Sequence, residues 1–329
     1  GSLTNWKQVV CGGIFDAAIK TDGTLWTWGY NYVGQLGNGT TVNYSSPIQV
    51  GSLTNWKQVC TGNEHALAVK TDGTLWAWGH GNYGELGLGG TTKYSSPVQV
   101  GALTNWKQVS AGYYFSAAVK TDGTLWTWGN QGAGSYGALG QGDLSSRSSP
   151  TQVGTLTTWK LVSCGQYFTL ASKTDSTLWA WGRNNFGALG QNNTTNYSSP
   201  VQVGTLNTWR KFAGGVYHTA AIKTDGTLWT WGSNSYGQLG QNNTTHKSSP
   251  VQVGSLTNWK QVFCSNYATM ALKTDGTLWT WGYNPYGQLG QGNTTRYSSP
   301  VQVGSLTNWK QIPVGAAQYS WAAISDSSY

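Results

Sequence analysis

A tryptophan followed by Lys or Arg recurs at Trp6, Trp56, Trp106, Trp159, Trp209, Trp259 and Trp309. The successive spacings are 50, 50, 53, 50, 50 and 50 residues. A fixed period of that length means that one supersecondary unit is repeated, and that each unit buries its apolar face only against its neighbours. The period sets the domain organisation. It predicts a single domain over 1–329, with six complete units over 1–303 and a half unit over 304–329. The two ordinary domains that 329 residues would otherwise suggest are set aside.

Each unit reads as four short strands. In the third unit these are Asn105–Gly112, Ser116–Lys120, Thr124–Gly129 and Ser148–Val153. The runs are rich in Val, Trp, Thr and Ala and too short for helices. The second and third strands are joined by Thr-Asp-Gly-Thr, and Asp-Gly predicts a tight type I′ hairpin. The fourth strand carries Pro, which cannot donate to a ladder and so suits an outer edge. The third strand, Leu-Trp-Thr-Trp-Gly, alternates large rings on one face with Leu and a small residue on the other. Sheets with one large and one small face pack closely when stacked around an axis, each large face against the next small one. The expected fold is therefore all-β, a propeller of four-stranded antiparallel blades with the last blade incomplete in this chain.

The stretches "WGYNPYGQLGQGNTTRYSSPVQV" and "VSAGYYFSAAVKTDGTLWTWG" resemble the repeats of the regulator of chromosome condensation family. The resemblance covers essentially the whole chain and implies a propeller that is typically seven-bladed. It implies no particular activity, because one fold hosts many functions. The family's frequent His is kept at His65 and His218, while Phe15, Phe115, Phe168 and Ala268 stand at the equivalent positions. The basic amino-terminal tail and long insertion loops of the chromatin-bound member have no counterpart here. That places guanine-nucleotide exchange on a small GTPase last among the functional readings. The outer strands of the family's last blade commonly come from the start of the chain. Here the seventh unit shows only its first two strands, so its open edge is expected to pair with an upstream segment or a neighbouring molecule. Trp321, the one Trp of 20 outside the repeat positions, is the residue assigned to sealing that edge.

Net charge is +8, but the cations are mostly repeat positions, and no basic block or tail exists. Nucleic acid is accordingly not an expected partner. No run of eighteen apolar residues occurs, so no membrane-inserted helix is expected. Cys11, Cys60, Cys164 and Cys264 lack zinc-ligand spacing and read as buried thiols at a site that wants a small residue. No nucleophile elbow, zincin motif, P-loop or dinucleotide fingerprint is present. The sparse acids away from the turns do not recur as a carboxylate pair. No catalytic residue, metal site or cofactor is therefore assigned.

Comparing the units with one another separates two faces. The loops between second and third strands, and between units, are nearly uniform. The loops between first and second strands (inner loops) and between third and fourth strands (outer loops) vary, and they share the opposite face. Variable loops on one side of a repeat array mark its binding face. The first inner-loop position supplies Asn63, Tyr113, Gln166 and Asn266, and the second supplies Glu64, Tyr114, Tyr167, Tyr217 and Tyr267. The residue after the Trp-Gly pair supplies Tyr30, His80, Arg183 and Tyr283. These are the candidate partner contacts, since rigid amphipathic rings dominate interfaces. The third inner-loop position (Phe15, His65, Phe115) reads as structural. Two binding readings stay open: a protein-interaction or self-assembly module, and a lectin-like module that stacks Tyr on a glycan. Low charge and eight Asn-x-Ser/Thr sequons suit a secreted, cell-surface or virion-surface chain.

Overall fold

The computed structural model describes residues 5–131, 134, 136–313 and 322–325. Six four-stranded antiparallel sheets follow one another, each with its strands in simple sequence order. In the first blade the strands are Trp6–Cys11, Phe15–Lys20, Leu25–Gly29 and Tyr44–Gln49. The third blade, Trp106–Ala111, Phe115–Lys120, Leu125–Gly129 and Arg147–Gln152, lies within two residues of the limits read from sequence. The half unit forms a two-stranded sheet, Trp309–Gln311 against Ile324–Ser325. Among the described residues no further strand pairs with Ile324–Ser325. Trp321 lies outside the described residues.

The core sits between blades. Ala17, Ile19, Leu25 and Leu36 of blade one meet Trp56, Val59, Ala66 and Trp78 of blade two in one buried cluster. The same small-against-large pairing recurs between the following blades. The second Trp of each third strand closes the seam. The Trp78 Nε1–H donates to the Gln35 carbonyl of the preceding blade at 2.9 Å, and Trp128, Trp181, Trp231 and Trp281 repeat that bond. Each of these rings lies over a glycine. A Cβ on Gly87 would stand 2.8 Å from the Trp128 Nε1. The partial blade joins the ring through Ile312, buried with Cys11 of blade one and Phe263, Met270 and Leu272 of blade six.

The first-strand Trp and the first Trp of the third strand hold a lysine between them. Lys120 Nζ lies 3.7 Å from the Trp126 ring centroid and 4.7 Å from that of Trp106. This cation–π arrangement recurs in all six complete blades.

The hairpin turn differs from the type expected. A type I′ turn needs positive φ at two residues, but here only the glycine has it, at φ 80° in Gly23. Gly23 N–H donates to the Lys20 carbonyl, and Lys20 N–H donates to that of Thr24. This is a type I turn closed by a left-handed glycine, the other connection that Asp-Gly favours. Asp22 has a fixed task in it: its Oδ1 accepts from the Thr24 N–H at 2.9 Å and the Thr24 hydroxyl at 2.7 Å. Those hydrogen bonds hold its carboxyl below the usual carboxylate range. The Thr24 hydroxyl in turn accepts from Trp26 Nε1 at 2.9 Å.

Ser176 occupies the glycine position in blade four at φ 66°, against 77–80° for the five glycines. A Cβ at Gly123 would stand 2.0 Å from the Thr157 carbonyl oxygen, so serine fits only by a shifted backbone. Ser176→Gly is expected to stabilise the chain by about 1 kcal/mol. An unchanged or lower melting temperature would contradict that assignment of strain.

Candidate binding face

The variable loops are built on a rigid floor. Backbone bonds tie successive inner loops around the axis: Gly13 N–H to the Gly62 carbonyl at 3.1 Å, Tyr113 to Gln166 at 3.1 Å, and Gln166 to Gly215 at 3.0 Å. The third loop position is buried throughout, at 2 % exposure or less for Phe15, His65, Phe115, Phe168, His218 and Ala268. The structural reading of that position holds. A Cβ on Gly112 would come within 2.0 Å of the Phe115 ring, so the preceding glycine makes room for it.

Above this floor the second loop position projects half-buried tyrosines. Tyr114, Tyr167, Tyr217 and Tyr267 form one connected arc with rings from the outer loops. Tyr114 meets Tyr83 at 4.6 Å and Tyr113 at 4.4 Å between ring centroids, and Tyr113 meets Tyr167 at 5.5 Å. Arg183 bridges the next step, its Cζ lying 4.8 Å from the Tyr136 centroid, 5.4 Å from Tyr167 and 4.9 Å from Tyr217. Tyr217 continues to Tyr267 at 6.3 Å, and Tyr267 to Tyr236 at 5.0 Å. Tyr236 and Tyr283, 4.7 Å apart, share Arg296, which is 5.0 Å from each. The arc thus crosses blades two to six.

The structure does not bring all the sequence candidates to the surface. Asn63 and Asn266 are 6 % and 7 % exposed and belong to the floor. His80 is 7 % exposed because its Nδ1 pairs with the fully buried Glu85, whose other oxygen accepts from the Tyr83 N–H at 2.8 Å. Glu64 lies at the rim, accepting from the Tyr32 hydroxyl at 2.5 Å. Tyr30 is 58 % exposed on blade one, outside the blades that carry the arc. Gln166 is half-buried and serves the backbone ring.

Sequence reasoning missed Tyr83, Tyr136, Phe186 and Tyr236. They stand immediately before the glycine of the outer loop and recur as Tyr or Phe in every unit but the first, where Val33 is found. That recurrence was the available signal. Phe186 packs on Tyr217 at 5.2 Å and on His246 at 5.3 Å.

The face is aromatic, cationic at Arg183 and Arg296 and acidic at its Glu64 rim. Burial raises the phenols of Tyr114 and Tyr32, with Glu64 adding to the effect, and pushes Tyr167 up to about 12. These tyrosines therefore remain hydrogen-bond donors at neutral pH. Asp143 is spent on Arg147 at 2.5 Å, and Glu85 on His80. Among the described residues no group of three metal-ligating side chains comes together.

The solved structures share this architecture. Yeast RCC1 (Prp20), in a structure with Kap60 bound, is 20 % identical; the match covers 98 % of this chain and 81 % of that one, with TM-score 0.85. Human WBSCR16 is 22 % identical, with 99 % and 88 % covered and TM-score 0.86. Saccharomyces cerevisiae Prp20p, whose structure is described together with its binding to Gsp1p and histones, is 19 % identical, with 97 % and 82 % covered and TM-score 0.82. The family model described as the RCC1-like domain matches residues 2–323. With that match over nearly its whole length, on blades and motifs of the same kind, the chain belongs to the RCC1-like domain family.

Proposed function

We propose that this propeller is a non-catalytic docking module that seats a protein partner on its variable face. The observation that carries the reading is the unbroken arc of tyrosines from Tyr83 to Tyr283, held together by Arg183 and Arg296. Tyr and Arg are the residue types that carry most binding energy at interfaces, and pre-packed rings lose little entropy on docking. Relatives of the same fold, named above with Kap60, Gsp1p and histones, support protein as the kind of partner. Nucleotide exchange on a GTPase stays the last reading, because identities near 20 % carry the fold alone. The glycan reading rests on the same rings, and a glycan array tests it: several related hits would favour it.

We also infer a seven-bladed closure. Blade six leaves a cavity of about 380 Å³ lined by Leu278, Leu289, Gly290, Val303, Trp309 and Ala322. At the equivalent glycine of the other blades the next blade's Trp fills that place. A Trp-bearing strand, from an adjoining segment or a second molecule, would complete it.

The docking test is capture from source-cell lysate. Tyr114→Ala, Tyr167→Ala and Tyr217→Ala together are expected to reduce recovery of the bound partner at least tenfold while the melting temperature stays close to wild type. The control is Leu103→Ala, Leu156→Ala and Leu206→Ala on the uniform face, each leucine 46–49 % exposed and one per blade. Equal loss from both sets would contradict docking on one face.

A further inference from the structure

The opposite face carries a different feature. The second residue of each first strand is an exposed cation: Lys7, Lys57, Lys107, Lys160, Arg210 and Lys260, with Lys310 in the partial blade. Neighbouring first strands lie against one another around the axis, held by a glutamine clamp. Gln8 donates to the Val59 carbonyl at 2.9 Å and accepts from the Val59 N–H at 3.1 Å. Gln58 holds Val109 and Gln108 holds Val162 in the same way, and Gln261 accepts from the Ile312 N–H while donating to the Lys310 carbonyl. The cations therefore circle one mouth of the axial channel.

The clamp is lost in blades four and five, where Leu161 and Lys211 take the glutamine's place. A cavity of about 630 Å³ opens on the axis, lined by Lys7, Arg210, Lys211, Lys260 and Lys310 together with Leu161 and Ser163. Among the described residues no carboxylate lines it. Among the described residues the aspartates of this face sit in the hairpin turns, each occupied by its own Thr.

Like charges gathered at one mouth repel one another and focus a positive field into the opening. An anion that neutralises several at once relieves that repulsion. Lysine binds phosphate as a point charge, and the Arg210 guanidinium, which gives one N–H to the Trp259 carbonyl at 2.9 Å, keeps further donors. Cations set around a ring match several anionic groups displayed around a small scaffold. A single phosphate would reach one or two of them, and a linear strand would cross the ring at two points. We propose that this mouth binds a compact polyphosphate of the inositol hexakisphosphate class.

Calorimetry of the full chain with inositol hexakisphosphate tests this. The expected result is one ligand per chain, and a raised melting temperature when it is present. Arg210→Gln, Lys211→Gln and Lys260→Gln together are expected to weaken binding at least tenfold. Lys93→Gln with Arg296→Gln, two cations of the other face, are expected to leave it unchanged. A second arm uses a single-stranded oligonucleotide. No binding of the polyphosphate would overturn the proposal. So would equal weakening by both variant sets, or an oligonucleotide that binds more tightly and in competition, because each would reduce the ring to general positive charge.

Discussion

Replacing His65 and His218 together by Phe is expected to remove most of the chain's loss of stability between pH 6.5 and pH 4.5. Both rings are fully buried. The Ser116 hydroxyl gives its proton to the Glu85 carbonyl at 2.7 Å, so His65 Nε2 must donate to Ser116, 3.1 Å away. Thr269 and His218 repeat this, with Thr269 donating to the Gln238 carbonyl. In both rings Nδ1 is left as a buried atom with no hydrogen-bond partner. Protonating it would bury a charge beside nothing that accepts it, so desolvation drives both pKa values down to about 3, with His80 adding to the effect at His65. The unfolded chain takes up these protons near pH 6.5. Stability is therefore full above that pH and falls as the pH drops from about 6.5 towards 3. The slope is about 1.4 kcal/mol per unit for each His, or on the order of 2 kcal/mol each by pH 4.5. The turn aspartates act lower, since their carboxyls are depressed and their contribution is lost only below the usual Asp range. Phe stands at the same position in three other blades. A wild-type melting temperature that stays level from pH 7 to 4.5, or a double variant as acid-sensitive as wild type, would contradict this account.

The second large effect concerns two tryptophans with the same local sequence. Trp128→Ala is expected to cost about 4 kcal/mol, for a lost buried ring, the cavity it leaves and one lost hydrogen bond. Trp128 is fully buried and donates to the Glu85 carbonyl at 2.8 Å. Trp28→Ala is expected to cost roughly half as much. Trp28 is only half-buried; among the described residues no glycine loop covers it as Gly37, Gly87, Gly140, Gly190 and Gly240 cover the other five. Chemical denaturation of both variants measures the difference. Equal costs would mean that the seam at blade one is as well closed as the rest.

Much of this fold was legible because the period of the first-strand Trp, the alternation of Leu-Trp-Thr-Trp and the edge Pro all point to one architecture. The turn was misread in type, not in place, because Asp-Gly serves both a type I′ turn and a type I turn closed by a left-handed glycine. The aromatic arc was legible in part from variation among units, which singles out Tyr114, Tyr167 and Tyr217 as the varying ring positions. The outer-loop rings were not, because Tyr83, Tyr136, Phe186 and Tyr236 recur and so looked like part of the frame. Their partners across the blade seam are distant in sequence. His80 reads as a surface residue because nothing local shows that Glu85, five residues on, turns inward to meet it.

Docking on the aromatic face is tested most directly by hydrogen exchange of the chain alone and with its captured partner. Protection is expected at 113–115, 166–168 and 216–218 and in the outer loops that carry Tyr83 and Tyr236. The connections at 101–105, 154–158 and 204–208 on the opposite face should exchange as before. Protection confined to those connections, with the tyrosine loops unchanged, would contradict the account.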